Sequence, residues 1–425
     1  MLAPGNLQQT TDAKVVLPFY IYASVSFLVG TLLLLWHTDL VQQHYFYPYT
    51  LAITHIMALG WGTMIILGAS HQLLPVLIEG KLDSNFLALL TFVTTAIGIP
   101  CLVVGFYQFN FGILMQIGAV LVNVGVLSYV INVMKSAFKS KKRNIHAWYM
   151  MAASLWLFST TFFGLLLVCN FSENILPKNS VSYLSIHAHL GLVGWFLLLV
   201  IGVGSRLIPM FLISKYTNDR TLWQIFFLIN CALISFIVIR LMGAASVYYY
   251  ISVALALGGI LLFANYCRKA YLVRIRKSVD EQMKTSLISV IQMVLPFLAL
   301  ILTLVLMPSD QYPNIALLYG FCIFFGWITA IILGMTFKTL PFIVWNKVYH
   351  KKAHVGKTPP PKDLFSEKVY QIMLKTYLLG FVIFILGIIL KNEWILKVGA
   401  FALLITAILY VYNTSLTLLH QPKKQ

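Results

Sequence analysis

Long apolar runs, separated by short polar turns, dominate the chain. They lie at 16–36, 50–78, 86–106, 109–134, 147–170, 184–213, 222–242, 245–267, 286–307, 314–345, 370–390 and 394–419. Each approaches or exceeds the ~20 residues needed to cross a bilayer as an α-helix. The pattern predicts an all-α, polytopic membrane protein: twelve transmembrane helices in a single transmembrane domain over 1–425. Composition agrees, with 60% hydrophobic and 10% charged residues, against about a quarter charged in soluble domains. The five cysteines lie in or beside apolar runs with no CxxC spacing. They read as small apolar residues rather than a disulfide or zinc framework. The start, MLAPGNLQQTTDAK, lacks the form of a cleavable signal, so the first span is expected to direct insertion.

The net charge of +18 changes the picture only through its placement. Basic residues gather in KSAFKSKKR, RKAYLVRIRKS, NKVYHKKAHVGK and the final QPKK, whereas HTDLVQQHYFYP has no Lys or Arg. Alternate turns are therefore basic, which is a topology signal and not a nucleic-acid footprint. Both termini are expected to be cytoplasmic, in a multi-pass protein of the inner (cytoplasmic) membrane contacting lipid and no nucleic acid.

One polar pattern recurs inside the apolar runs. Residues 55–75 read HIMALGWGTMIILGASHQLLP, and 189–209 read HLGLVGWFLLLVIGVGSRLIP. Without a gap, His55 aligns with His189, Gly60-Trp61 with Gly194-Trp195, Gly68 with Gly202, and Pro75 with Pro209. A third copy, GWITAIILGMTFKTLP at 326–341, keeps Gly326-Trp327, Gly334 and Pro341 at the same spacing. The period spans four helices, so the expectation is three four-helix repeats at approximately 16–145, 146–284 and 285–425. The glycines let either a neighbouring helix or a flat ligand approach closely. The prolines stand where a helix kinks or stops.

The twelve acidic residues all fall in loops or at span ends. No carboxylate sits deep in the membrane, which counts against ion-coupled transport and an acidic proton relay. Histidine remains. His55 enters the second span, and His187 and His189 the sixth, all from the outer side on helices related by the repeat. An imidazole in lipid needs a partner. These three form one outer layer suited to axial ligation of haem iron or to bonding a backbone carbonyl. His187 and His189 are two apart and point about 200° from each other. They cannot share one metal from a regular helix; His187 is left as a second metal ligand or a cap. His71 lies about 24 Å beyond His55 along the axis and is expected at the cytoplasmic interface, beside Gln72. Gln72 aligns with Arg206 and Lys338, polar groups expected to snorkel. Arg240, Lys391 and Lys397 sit at outer span ends, where they pair with anionic haem propionates or anchor the interface. His37 and His44 lie in an outer loop, read as copper-binding or simply solvated.

Twelve spans, the threefold repeat and outer-end histidines on the patterned helices resemble the haem–copper oxidase subunit I superfamily. The stretch 55–75 is similar to that superfamily's second helix, whose histidine ligates the low-spin haem. IHAHLGLVGWF, 186–196, resembles the HxH helix of the related nitric-oxide-response membrane proteins, called NnrS-like. Topologically the likeness covers nearly the whole chain; as motif it is confined to the second and sixth spans. The chain departs from the pattern at the tenth span, which has Phe321 at the repeat position and no histidine, and at 223–240, which lacks the copper-ligating His-His pair. No tyrosine follows the sixth-span histidines at the cross-link spacing. The resemblance thus implies a scaffold without the full binuclear centre, and not a proton-pumping oxygen reductase. It implies haem b held through His55, His189 or both, with His187 and Arg240 as further cofactor contacts and copper as a second cofactor. The role implied is electron transfer, nitric oxide handling or respiratory-complex function, with complex subunits or cytochrome c as partners. The alternative is a cofactor-free membrane scaffold or a transporter of a small molecule.

Overall fold

A computed structural model describes residues 11–39, 43–140, 144–306, 312–349 and 358–422. Parts of the basic stretches KSAFKSKKR and NKVYHKKAHVGK, and the last residues of QPKKQ, lie outside these described residues. Twelve helices are long and apolar enough to cross a membrane. They are α1 (Ala13–Trp36), α2 (Pro48–Leu77), α3 (Asn85–Tyr107), α4 (Ile113–Lys139), α5 (Ile145–Glu173), α6 (Ser180–Leu212), α7 (Asp219–Met242), α8 (Ser246–Leu272), α9 (Glu281–Ile301), α10 (Ile315–Tyr349), α11 (Glu367–Leu390) and α12 (Glu393–Leu418). Every predicted span has its helix.

Local chemistry sets most of the starts. Asp12, Ser84, Asn144, Asn179, Asn218, Asp280, Ser366 and Asn392 each accept a backbone N–H of the first turn that follows. These caps satisfy donors that neither lipid nor the helix itself can satisfy. Gly243 ends α7 at a positive φ of 62°, a conformation glycine adopts without strain. Within α9, the helix is interrupted between Gln292 and Leu295, just ahead of Pro296, whose ring cannot complete the ladder.

The three patterned helices share a feature with no counterpart in sequence-based expectation. In each, a stretch of π-helix replaces the α-helix: Ile56–Thr63 in α2, Leu190–Leu197 in α6 and Cys322–Ile328 in α10. A π turn accommodates one extra residue in the helix, and such turns concentrate at functional sites. Each segment begins immediately after the repeat position occupied by His55, His189 or Phe321. In α10 the departure is larger, Gly326 being non-helical at φ −90°, ψ −112°. The prolines stop none of these helices: α2 runs to Leu77, α6 to Leu212 and α10 to Tyr349, beyond Pro75, Pro209 and Pro341.

The chain partitions into two compact units, 1–11 with 70–279, and 12–69 with 280–425. In the second, α1 packs on α2, where a Cβ on Gly60 would fall 2.6 Å from Ser26 Oγ and one on Gly68 2.6 Å from Phe19 Cβ. On α10, a Cβ at Gly334 would meet Ser286 Oγ of α9 at 2.4 Å. In the first unit, a Cβ added at Gly194 or Gly202 of α6 would fall 2.7 Å from Trp156 Cβ or 2.4 Å from Tyr149 Cβ of α5. Gly60, Gly68, Gly194, Gly202 and Gly334 therefore seat their helix against the helix before it, whereas Gly326 faces Phe381 of α11. Of the two roles open for them in the sequence, close helix approach is the one observed.

The signature tryptophans are buried in the same seams. Trp61 stacks on Phe27 at 4.4 Å and donates its indole N–H to Thr329 Oγ at 3.0 Å. Tyr20 shares a hydroxyl–hydroxyl bond with Thr339, and Tyr410 with Thr336, so threonines along one side of α10 each partner the polar group of a buried aromatic side chain. Trp195 meets Tyr129 edge-on. Burying such rings supplies large apolar area, and the polar groups of Trp61, Tyr20 and Tyr410 keep partners.

Candidate functional site

His55 and His189 are built alike. Each is the last α-helical residue before its π segment. The ring Nδ1 of His55 lies 2.8 Å from Leu51 O, and that of His189 lies 2.8 Å from Ser185 O. A carbonyl only accepts, so Nδ1 carries the hydrogen in both rings, and the lone pair of the neutral imidazole falls on Nε2. Metal-ligating histidines are commonly oriented in this way, by a carbonyl bonded to the other nitrogen. Both side chains are part-buried, and His189 lies against Phe236 with ring centroids 4.4 Å apart.

The third copy is filled. Phe321 stacks on Phe384 at 4.4 Å, Phe325 at 5.1 Å and Phe381 at 5.6 Å. A phenyl group cannot ligate, and this cluster occupies the surroundings of the repeat position with apolar rings.

His187 turns away from its neighbour. Its ring lies over Gly164 of α5, where a Cβ would come within 2.8 Å of His187 Cε1. His189 instead faces Phe236 of α7. The two imidazoles thus point at different helices, as their spacing predicts. Arg240, exposed at the end of α7, donates from Nη2 to Ser182 O at 3.3 Å, which ties it to the first turn of the helix carrying both histidines. Lys397 is engaged by Glu393 at 2.6 Å and lies over the Trp394 ring. Among the described residues no three His, Cys, Asp or Glu side chains gather as a metal cluster.

His71 is fully buried, and its ring meets Tyr129 of α4 edge-on at 5.4 Å. Two expectations change. Lys338 does not snorkel but forms a part-buried ion pair with Asp280, the cap of α9. His37 is buried rather than solvated, stacked on Tyr49 at 3.7 Å, whereas His44 is exposed and accepts from Phe46 N–H. Desolvation holds the His37 imidazole below its usual pKa, with the Asp39 charge opposing.

Sequence reasoning passed over His146. Placed in the first turn of α5, its Nδ1 lies 3.1 Å from Gly202 O and 3.3 Å from Ser205 Oγ. With Tyr149, it clasps the α6 backbone at the glycine of the repeat. The signal was a histidine at a span start, hidden beside a run of basic turn residues. Compared with protein-family models and with curated proteins, the chain matches none.

Proposed function

We propose that this chain is a haem-binding membrane protein in which Nε2 of His55 and Nε2 of His189 are the candidate iron ligands. The observation that carries the reading is their shared geometry: an Nδ1–H bonded to a carbonyl at the start of a π turn, in two repeat-related helices. The donor chemistry fits haem b, which takes neutral imidazole and needs only one or two such ligands. When bound, the haem would supply one-electron chemistry. The protein's part is to fix the imidazole tautomer, to raise ligand basicity through the carbonyl bond, and to keep water from the surrounding apolar seam. Arg240, held by Ser182 O, offers its remaining N–H donors to a propionate. His187, turned to Gly164, is a candidate ligand for a separate metal such as copper rather than for the same iron.

The wider reading is a three-by-four helix scaffold with cytoplasmic termini in the inner membrane. The gap-free sequence repeat, the shared π turns and the basic alternate turns support it. Its role would be electron transfer, nitric oxide handling or respiratory-complex function, with complex subunits or cytochrome c as partners. The competing reading is a cofactor-free scaffold or small-molecule transporter, favoured by the complete engagement of the Gly and Trp pattern in helix packing. One experiment separates them: absorption spectra and iron analysis of protein expressed with ample haem. The expected result is a Soret band that falls by more than half in His55→Ala or His189→Ala. A protein free of haem and iron would overturn the proposal.

A further inference from the structure

The turns after α6 and α8 belong to the same compact unit and are stitched together. Ser214 and Arg274 form an antiparallel bridge, and Ile275 N–H donates to Ile213 O at 3.2 Å. The bridge fixes Arg274 in a defined place. Its guanidinium lies 3.8 Å above the Tyr271 ring, and Nη1 donates to Tyr271 O at 2.8 Å. Its Nε is buried and without an acceptor. An arginine oriented by its own helix end, with a desolvated donor still to satisfy, is a fork awaiting an anion.

The surroundings say which anion. Lys215, Arg220, Arg268, Lys269, Arg276 and Lys277 lie on the same two turns and their flanks, where the acids are Asp219, Asp280 and Glu281; Asp280 is already paired with Lys338 and Glu281 with Lys284. Large apolar side chains are exposed beside the fork: Ile213 at 55%, Leu272 at 61%, Val273 at 55% and Ile275 at 61%. A soluble anion would gain nothing from that apolar rim. A phospholipid uses both parts, its phosphate on the guanidinium and its acyl chains along the rim.

We infer that the joined α6–α7 and α8–α9 turns form a binding site for the phosphate of an anionic phospholipid, with Arg274 as its central contact. Full-length protein, delipidated in detergent, is titrated with phosphatidylglycerol or with phosphatidylcholine of the same chains and read by native mass spectrometry. The wild type is expected to retain phosphatidylglycerol over phosphatidylcholine. Arg274→Gln is expected to weaken phosphatidylglycerol retention on the order of fivefold or more, and Arg274→Lys to restore it only in part, because the point charge lacks the fork. Lys215→Gln, an exposed charge on the same turn, serves as the control for general surface attraction and is expected to do less. Circular dichroism melting shows that each variant is folded, and Arg274→Lys carries the test if the glutamine variant is not. Equal retention by the wild type and both Arg274 variants would overturn the site, as would equal retention of the two lipids. Displacement of the lipid by millimolar inorganic phosphate would overturn the lipid assignment.

Discussion

Gly202 shows what one side chain decides here. An added Cβ would sit 2.4 Å from Tyr149 Cβ, with no flexible tip to move aside. Gly202→Ala is therefore expected to cost about 1–3 kcal/mol, read as a lowered unfolding midpoint in detergent. Gly258, with nothing within 4 Å of its Cβ position, is expected to accept alanine without loss. The buried His37 carries a pH prediction. Its folded turn favours the neutral ring, so the proton is taken up more readily once the turn opens. Stability at the α1–α2 turn is then complete above the usual imidazole range and falls as pH drops through it. Hydrogen-exchange protection of the peptides around 37–39 and 43–49, taken relative to the intrinsic rate at each pH, should fall as pH is lowered from 7 to 5 on this basis, and pH-independent protection would refute it. At this scale sequence reasoning found the glycines, because close approach leaves glycine as its trace. It misplaced Lys338 and His37, because a polar side chain looks the same in sequence whether it meets headgroups, an ion-pair partner or a ring.

Among elements, the π turns matter most. Deleting one residue from 56–63, for example Ala58, would let α2 close as regular α-helix and turn His55 by about 100° relative to the rest of the helix. The expected outcome is loss of the Soret band comparable to His55→Ala, in protein that still melts cooperatively. Retention of the band would show that the π turn does not position the ligand. The twelve spans were legible because burial in lipid demands long uninterrupted apolar runs. The π turns were not, because the same apolar residues satisfy either helix and only the hydrogen-bond register differs. Capping residues such as Asn144 and Ser366 moved several starts a few residues outward from the apolar runs, since polar first turns belong to the helix yet not to the hydrophobic pattern.

For the molecule as a whole, topology is the testable property. Asn110, in the turn between α3 and α4, and Ser278, between α8 and α9, are expected on opposite faces of the membrane. In a background lacking the five native cysteines, Asn110→Cys should react with an impermeant maleimide in intact cells. Ser278→Cys should react only after permeabilisation, and the reverse pattern would invert the orientation. The expectation rests on charge placement: Lys and Arg gather in a few turns and are absent from others, such as HTDLVQQHYFYP. The relation between His55 and His189 was less readable, since the repeat equates their positions in sequence while the two residues fall in different compact units.

The three π segments also bear on history. A π turn is the trace of a one-residue insertion in an α-helix, and here it falls at the same register in all three patterned helices. If the copies descend from one four-helix ancestor, the insertion predates both duplications, for otherwise the sequences would align only with a gap. The ancestor would then have carried the bulge before any copy could specialise. Phe321 would be a later loss, in a segment that kept the inherited backbone distortion after giving up the imidazole.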